Sequence, residues 1–422
     1  MSDPQRLNVL ILAPGCDGTD VGESWSSFQW VKGLSQQCNV TLLTLRRPDR
    51  PRVTDQLPPS VEVVEWEDWG FAKRFERFNS MFKPGYLRFY RNAAHWIRAA
   101  QRVGRRFDLI HQLGPLALRY PCPGTGTGLP IVIGPVAGSL ETPSAFQSEC
   151  ESAPWYTKLR RLDGFRLRFD PWLRHSYQSA DVVIGVAPYV ADLLKPIPIR
   201  WFELASETGV HDVPDPSAGK SPSRDALQLL YVGRVIRSKG LRDVVRSMGM
   251  LRDLPGIHLH AAGDGEDLPA CREEARSLGV GDRITFLGRV PRDHVESLYR
   301  QCDAFVFPSF REPSGNVVFE AMRWGLPVIT TNRGGPAFVV DDHSGIRLAA
   351  DTPSQLAADL AATIRRLAGD PQSLRRLSQG ARERIADVGL WSHKIDRMLK
   401  LYRRVVANAK RRPSPVWKAG TP

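Results

Sequence analysis

The sequence predicts an α/β protein of two halves, and three observations support this fold class. Short apolar runs of strand length alternate with helical segments throughout the chain. The stretch at residues 208–225 is rich in Pro, Gly and Ser, which indicates a linker between the halves. The length of 422 residues favours two or three domains over one.

In the first half, a strand predicted at residues 7–13 leads through a glycine-bearing loop at residues 15–23 into a helix at residues 24–36. That loop lacks G-x-G-x-x-G, which disfavours a dinucleotide site. The later predicted strands of this half cover residues 40–45, 61–65, 109–111, 131–133 and 182–186. The half ends near Glu207, so the first predicted domain comprises residues 1–207.

In the second half, predicted strands and helices alternate in the same way. The strands cover residues 227–232, 258–262, 284–287, 304–308, 326–331 and 346–349, and the helices cover residues 316–324, 353–367, 372–386 and 392–407. We place a second domain at residues 226–390. We expect the last helix and the basic, Pro-containing tail, residues 391–422, to return towards the first domain.

The cysteines and the hydropathy limit the classes of protein that fit. The six cysteines form no C-x-x-C pair, and no His stands at metal-ligand spacing, so neither a disulfide framework nor a zinc site is indicated. No stretch reaches the roughly 18 apolar residues of a spanning helix. We therefore expect a cytoplasmic protein, neither secreted nor transmembrane.

The formal net charge of +13 predicts an acidic partner: nucleic acid, anionic lipid or a phosphorylated substrate. Residues 71–106 carry ten Lys or Arg against the single acid Glu76, interleaved with aromatic side chains, and residues 155–174 repeat that composition. Such stretches are typical of helices in a membrane interface. The alternative, core-packed helices with solvated basic faces, remains open.

Residues 310–335 contain the most informative motif. A buried strand ends in an exit turn, and a helix follows that is closed by Gly325. In that arrangement the free N–H groups at Gly315 to Val317 would hold a phosphate. Glu312 on the loop and Glu320 in the helix could accept from different hydroxyls of one sugar nucleotide. Alternatively, Glu312 complements the helix dipole and Glu320 is a surface residue.

Three further strand ends carry chemistry that suits a phosphate. The first runs into V-G-R-V-I-R-S-K-G, where Gly233 allows close backbone approach and Arg234 and Lys239 suit a diphosphate. A solvated basic turn is the alternative. The other two strand ends carry A-G-D-G-E-D, which contains Gly263, and L-G-R-V-P, which contains Arg289 and Val290. Their convergence favours one shared ligand site.

These residues resemble the retaining glycosyltransferases of family 4, which have the GT-B architecture of two facing Rossmann-like domains with a cleft between them. The resemblance rests on E-x7-E from Glu312 to Glu320, on A-M-R-W-G-L-P-V-I-T-T with the two glycines that follow, and on V-G-R and K-G upstream. It implies catalysis by Glu312, Arg234 and Lys239. It also implies that Glu312 contacts the donor sugar and Glu320 the ribose. The whole donor set would be Gly233, Arg234, Lys239, Gly263, Arg289, Val290, Glu312, Ser314, Gly315, Asn316, Val317 and Glu320, with the base near Arg289 and Val290.

The first half is similar to a subgroup of that family with F-D-L-I-H-Q and G-P-V-G-G-x-E. Here the second motif is G-P-V-A-G-S-L-E, so Ala137 departs from it. Many members carry T-F-H at the position where this chain has Ile133, Gly134 and Pro135. The resemblance therefore assigns no catalytic His to this chain at that motif. The acceptor-side candidates are Gly22, Glu23, His111, Gly138 and Glu141, and each could equally be structural.

The expected activity is transfer of a glycosyl unit from a nucleoside-diphosphate sugar to a hydroxyl acceptor, with the retention of configuration that the family implies. No metal or other cofactor is expected, because Arg234 and Lys239 can stabilise the leaving diphosphate. A lipid-linked acceptor or a cell-surface glycan precursor, and contact with the inner face of the cell membrane, are expected from the basic aromatic stretches. Three alternatives are a sugar-nucleotide epimerase, a nucleic-acid-binding protein and an inactive lectin-like scaffold. Nucleic acid is disfavoured, since it explains neither the Glu pair nor the glycine turns.

Overall fold

A computed structural model describes residues 6–68, 83–150, 162–215 and 227–411, and helices and strands are numbered here over those residues. The first sheet has seven parallel strands in the order β3-β2-β1-β4-β5-β6-β7. Its strands are β1 Asn8–Leu12, β2 Asn39–Arg46, β3 Glu62–Glu67, β4 Leu109–Gln112, β5 Ile131–Val136, β6 Val182–Gly185 and β7 Phe202–Leu204. Six of the seven coincide with predicted strands. The edge strand β7 was not predicted, because only three residues form it and no apolar run marks it.

Helices cover both faces of this sheet. They are α1 Glu23–Ser35, α2 Tyr86–Arg102, α3 Leu162–Phe169, α4 Pro171–Ser179 and α5 Tyr189–Leu194. The residues of β1 alternate between two apolar cores: Val9 and Ile11 face the core that contains α1, whereas Leu10 and Leu12 face the core that contains α2. A strand buried on both faces has a continuous apolar sequence, as β1 has.

The second sheet has six parallel strands in the order β10-β9-β8-β11-β12-β13. Its strands are β8 Leu227–Val232, β9 Ile257–Ala262, β10 Ile284–Gly288, β11 Ala304–Phe307, β12 Val328–Thr331 and β13 Gly345–Leu348. The helices are α6 Leu241–Gly249, α7 Leu268–Ser277, α8 Arg292–Gln301, α9 Asn316–Arg323, α10 Gly334–Val339, α11 Pro353–Gly369 and α12 Pro371–Val388. The strand order reverses between β8 and β11, where doubly wound sheets bind ligands at the carboxyl ends of the strands. The predicted α/β class is confirmed.

The last helix, α13 Trp391–Lys410, packs on the first sheet rather than the second. Its buried side chains recur every three or four residues and form one stripe: Trp391, Ile395, Met398, Tyr402 and Val405. This stripe shares an apolar core with β1 and α1. The approach to α1 is close, because a Cβ at Gly33 would lie 2.7 Å from Ile395 Cδ1.

A segment of the first half also reaches the second domain. We define residues 141–150, between β5 and α3, as the strap. Phe146 of the strap is fully buried in the core of the second domain, with its ring centroid 4.3 Å from that of Phe310. Arg237 of the second domain donates from Nε to Glu149 Oε2 at 2.6 Å. Arg311 Nη1 donates to Thr142 Oγ1 at 2.9 Å. The strap therefore ties the two domains together beside the carboxyl edge of the second sheet.

Several sequence predictions lie outside the described residues. They include the aromatic stripe that begins at Phe71, with Lys73, Arg74 and Arg77, residues 155–161 of the basic stretch at residues 155–174, part of the linker and the tail after residue 411. Within the described part of the chain, no helix is both long and apolar enough to cross a membrane. The six cysteines, which all lie within the described residues, form no disulfide, and five of them are buried.

Candidate functional site

Lys239 and Glu312 meet at the carboxyl edge of the second sheet. Lys239 ends a short 3-10 helix, Arg237–Lys239, which follows β8, and Glu312 lies on the loop after β11. The carboxylate Oε2 of Glu312 forms an ion pair with Lys239 Nζ. Only 9% of Lys239 is exposed, and its Nζ lies 5.9 Å from the centroid of the Phe307 ring. A charge this deeply placed needs a partner, and Glu312 supplies it.

The turn that carries Lys239 depends on a glycine. Gly240 follows with φ +82°, and a Cβ there would lie 2.4 Å from the carbonyl oxygen of Pro308. Any other residue would therefore separate the turn after β8 from β11. This contact explains why glycine follows Lys239 in the sequence motif. It also holds the turn after β8 against the loop after β11.

The loop that carries Glu312 leads directly into α9. Gly315, with φ +87°, precedes the helix, and no side chain caps its first N–H groups. The N–H of Ser314 donates to Glu312 Oε1 at 3.3 Å. Gly334 and Gly335 pack under the loop, because their Cβ atoms would lie 2.0 Å from Glu312 O and 2.3 Å from Ser314 O. An open helix N-terminus beside a lysine suits an anionic group.

Glu320 is held on α9 by a residue that the sequence analysis missed. The hydroxyl of Tyr299, on α8, donates to Glu320 Oε2 at 3.2 Å and is also 3.4 Å from Val317 O. Burial raises the pKa of Glu320, and the nearby Arg292 and the Tyr299 hydroxyl partly oppose that rise. No sequence signal identifies Tyr299, because an aromatic residue on a helix is usually part of a core.

The other predicted donor residues fall at neighbouring strand ends. Gly233, Gly263 and Gly288 pack against one another: Gly263 N donates to Gly288 O at 2.8 Å, and a Cβ at Gly263 would lie 1.8 Å from Gly233 O. Arg234 and Arg289 are exposed beside these glycines, and Asn316 and Val290 are partly buried. The segments that follow β8, β9, β10 and β11 thus carry all of the predicted donor residues.

A cavity of about 160 Å³ lies between the domains, next to Glu312. Its lining comes from both domains: Glu23, Lys83, Ala117, Arg119, Tyr120, Gly138, Ser139, Leu140, Arg311 and Pro313. Glu23 and Gly138, two acceptor-side candidates, are therefore brought together here. Glu23 Oε1 accepts from Lys83 Nζ at 2.6 Å and from Leu116 N at 3.0 Å.

The prediction that His111 lines the cleft was wrong. His111 is fully buried, with Nδ1 2.5 Å from the Tyr402 hydroxyl and Nε2 2.5 Å from the carbonyl of Gly134. Burial lowers its pKa to about 4, so the imidazole is neutral and serves to join β4, β5 and α13. The sequence could not show this, because Tyr402 lies almost 300 positions further along the chain.

Two other acceptor-side candidates do not line the cavity. Glu141 has an exposed side chain in the strap, and its carbonyl accepts from Arg333 Nη2 at 2.8 Å. Gly22 is exposed and precedes α1 with φ +66°. Glu141 joins the two domains through its backbone carbonyl. Gly22 precedes α1 in a backbone conformation that favours glycine.

Glu207 is a buried carboxylate near the donor loop that the sequence analysis took only as a domain end. Burial raises its pKa to about 7, whereas the hydroxyl of Ser314 and the ammonium of Lys394 partly oppose that rise. Its backbone carbonyl accepts from Trp30 Nε1 at 2.9 Å. A single Glu before a linker belongs to no periodic pattern, so the sequence does not indicate that this carboxylate is buried.

The sequence of this chain is similar to those of known proteins. The family described as glycosyl transferases group 1 matches residues 217–384. The glycogen synthase of Mycobacterium tuberculosis is 31% identical over 202 residues, which are 47% of this chain and 48% of that protein. The chain thus spans about half the length of this curated relative.

Solved structures share the fold over nearly the whole chain. A sucrose-phosphate synthase from Thermosynechococcus elongatus has a TM-score of 0.65 at 21% identity, over 96% of this chain and 100% of that one. Anabaena HepE in complex with UDP-glucose has a TM-score of 0.59 at 16% identity, over 94% and 100% of the two chains. The two parallel-sheet domains match the GT-B fold of these neighbours. The sequence of residues 217–384 thus matches the family of glycosyl transferases group 1, and the described residues have the GT-B fold.

Proposed function

We propose that this protein transfers a glycosyl unit from a nucleoside-diphosphate sugar to a hydroxyl acceptor, with retention of anomeric configuration. The observation that carries the proposal is the buried Lys239–Glu312 ion pair beside the uncapped start of α9. Both features lie at the strand ends where a doubly wound sheet binds its ligand. The complex of Anabaena HepE with UDP-glucose supports UDP as the first nucleotide to test.

The charges of the site suit departure of a diphosphate. When the C1–O bond to the phosphate breaks, negative charge develops on the leaving oxygen, and Lys239 and Arg234 would stabilise it. The N–H groups at the start of α9 would add partial positive charge. These groups supply the electrostatic stabilisation that a divalent cation would give, so no metal or other cofactor is part of the proposal.

A bound diphosphate would compete with Glu312 for the ammonium of Lys239. Glu312 would then be released to accept a hydroxyl of the donor sugar, while Glu320 accepts from the ribose. For retention, the acceptor oxygen bonds to C1 on the face that the phosphate leaves. The acceptor proton passes to the leaving phosphate oxygen. This route balances without a histidine, which fits the structural role of His111.

Thermal stabilisation by a panel of UDP-, GDP- and dTDP-sugars tests the donor assignment. A ligand bound only by the folded protein raises its melting temperature, and we expect one nucleotide series to do so. Lys239→Met is the matched variant, because it removes the charge and keeps the stem, and its stabilisation should be lost. If no nucleotide sugar stabilises the wild-type protein, the proposal fails.

Product analysis separates transfer from its two closest alternatives. Proton NMR of the stabilising donor without acceptor would reveal epimerisation, whereas transfer to an added acceptor with the donor's anomeric configuration supports a retaining transferase. DNA binding that weakens with salt, without turnover of any donor, would favour the nucleic-acid alternative.

We further propose that the acceptor is lipid-linked and that the protein binds the inner face of the cell membrane. On α3, Phe165 and Phe169 are 62% and 58% exposed, their ring centroids lie 4.8 Å apart at a tilt of 43°, and the guanidinium of Arg168 lies 5.6 Å from the centroid of the Phe169 ring. Exposed aromatic rings beside cations suit an anionic membrane interface. The basic sequence of residues 71–82 would add to this attraction.

Co-sedimentation with anionic and neutral vesicles tests the membrane proposal. We expect wild type to sediment with anionic vesicles, and both Phe165→Ser/Phe169→Ser and Lys73→Glu/Arg74→Glu/Arg77→Glu to sediment less. Met250→Ser, at a residue 49% exposed on the second domain, is the control and should behave as wild type. Equal sedimentation of all variants on both vesicle types would refute membrane docking.

A further inference from the structure

The cavity between the domains has an excess of cations on its wall. Lys83 precedes α2, Arg119 follows β4 and Arg311 follows β11, so the three cations come from three separate segments and both domains. Glu23 is the one carboxylate among the lining residues. A cavity whose walls carry more cations than acids attracts an anion.

The acids near the cavity are already engaged. Glu23 is paired with Lys83 and accepts from Leu116 N. Asp163, behind the wall, accepts from Arg119 Nη2 at 2.8 Å and from Ser139 Oγ at 2.8 Å. These bonds hold Lys83 and Arg119 in fixed positions, so the cavity is preorganised rather than a set of mobile surface charges.

Tyr120 supplies an independent sign of a ligand. It lines the cavity and is 7% exposed, yet its hydroxyl has no hydrogen-bond partner among the residues that the structure describes. Burial raises the pKa of this phenol, so it keeps its proton and can donate. A buried hydroxyl without a partner costs free energy, and buried polar groups in folded proteins almost always have one. A ligand oxygen in the cavity would provide it.

We propose that this cavity binds a phosphate group of the acceptor, so that the acceptor substrate is a phosphate ester of a sugar or polyol, either the headgroup of the proposed lipid-linked acceptor or a water-soluble molecule. The inference rests on the proposed transfer function and names the class of molecule that receives the sugar. Pro313, which lines the cavity, is bonded to Glu312 of the donor loop. An acceptor anchored by its phosphate in the cavity would therefore present a neighbouring hydroxyl towards the donor.

The size of the cavity agrees with a small anionic group. A volume of about 160 Å³ would hold roughly five waters at about 30 Å³ each, which suits a phosphate and a few carbon atoms. The guanidinium of Arg311, fixed by Thr142 Oγ1 at 2.9 Å, suits a phosphate oxygen better than a neutral hydroxyl. The same phosphate chemistry could belong to a water-soluble ester or to a lipid headgroup.

Binding to the full-length protein without donor tests the proposal. Calorimetry would compare inorganic phosphate, glucose 6-phosphate with glucose, and glycerol 3-phosphate with glycerol. We expect the phosphate-bearing member of each pair to bind at least tenfold more tightly. Vesicles of phosphatidic acid, compared with phosphatidylcholine, form the lipid arm, and binding in that arm alone would assign the phosphate to a headgroup.

Two variants locate the binding. Arg311→Gln should weaken phosphate binding about tenfold in whichever arm binds, and Tyr120→Phe should weaken it several-fold. Arg365→Gln is the matched control and should bind as wild type. Arg365 is an exposed arginine on α11 that pairs with Asp253 and does not line the cavity. Stabilisation by the nucleotide sugar should persist in all three variants, so a failure here is distinguishable from a failure of the donor assignment.

Equal binding of the phosphorylated and neutral members would overturn the proposal. Wild-type phosphate affinity in both Arg311→Gln and Tyr120→Phe would do so as well, because the cations would then serve only to hold the domains together.

Discussion

Lys239 and Glu312 neutralise each other across the turn after β8 and the loop after β11. In the site without ligand, Glu312 thus provides the counter-charge for Lys239, the cation that we expect to bind the diphosphate. Donor binding exchanges one anion for another at Lys239, so the ammonium of Lys239 keeps a counter-charge in the free and the bound protein.

Removal of the Lys239 charge should abolish most turnover. In Lys239→Ala we expect kcat/KM to fall about 100-fold or more, because one preorganised electrostatic contact to a developing charge is worth about that much. The measurement is steady-state transfer with the donor that stabilises the protein best, with circular dichroism as the check on the fold. Near-native turnover in a folded Lys239→Ala would contradict the donor-site assignment.

Glu320→Ala should also remove most turnover without unfolding the protein. The side chain is partly buried and bonded by Tyr299, but it contributes a carboxylate to the site rather than apolar core volume. Donor titration by thermal shift gives the affinity directly. Retained donor affinity and turnover would exclude a contact between Glu320 and the ribose.

Glu312→Gln should chiefly lower kcat, because its charge is expected to matter more in the transition state than in the bound donor. The amide can still accept from a donor hydroxyl, so KM should change little. Initial rates over a range of donor concentrations separate the two constants. An effect confined to KM would contradict this role.

Tyr299→Phe should raise the KM for the donor about threefold to tenfold and change kcat little. The substitution removes the hydroxyl that orients Glu320 and leaves the ring in the core, and a hydrogen bond of this kind is worth about 1 kcal/mol. Tyr402→Phe, which loses a buried hydroxyl far from the site, is the control for general loss of stability.

His111 should make the protein less stable in acid. Above pH 6.5 the imidazole is neutral in both states and contributes nothing. Below that pH the unfolded chain takes up a proton that the folded protein, with its pKa at about 4, does not. At about 1.4 kcal/mol per pKa unit, roughly 3 kcal/mol is lost by pH 4.

Urea unfolding of wild type and His111→Gln at pH 7, 5.5 and 4.5 measures this loss. The variant should start less stable, because it loses the contact with Tyr402, but its unfolding free energy should fall less steeply with acid. Parallel curves for the two proteins would disprove a titrating role for His111.

Phe146→Ala should lower the stability of the second domain by about 3–5 kcal/mol, since Phe146 is fully buried in that core. The matched control is Phe165→Ala, because Phe165 is mostly exposed and its removal should cost less than about 0.5 kcal/mol. Differential scanning calorimetry would show whether the second domain alone shifts. Equal effects of the two variants would argue against the strap.

The strands and the donor site could be predicted because their signals are local. Strands buried on both faces appear as apolar runs, and the glycines after β8, β9 and β12 mark places where one backbone touches another. Tyr299, Phe146 and the burial of His111 could not be predicted in this way. Each depends on a partner from a distant part of the chain: Glu320, Phe310 and Tyr402.

The position of α13 has a consequence for synthesis on the ribosome. Domains generally fold in order as the chain emerges, at about 5–20 residues per second. Here the core of the first sheet includes Trp391, Met398 and Tyr402, which emerge after the whole second domain. The first domain therefore keeps one apolar face uncovered until α13 has been made. Released chains that stop before residue 391 should expose that face to chaperones and proteases, whereas released chains that contain residues 391–411 should not.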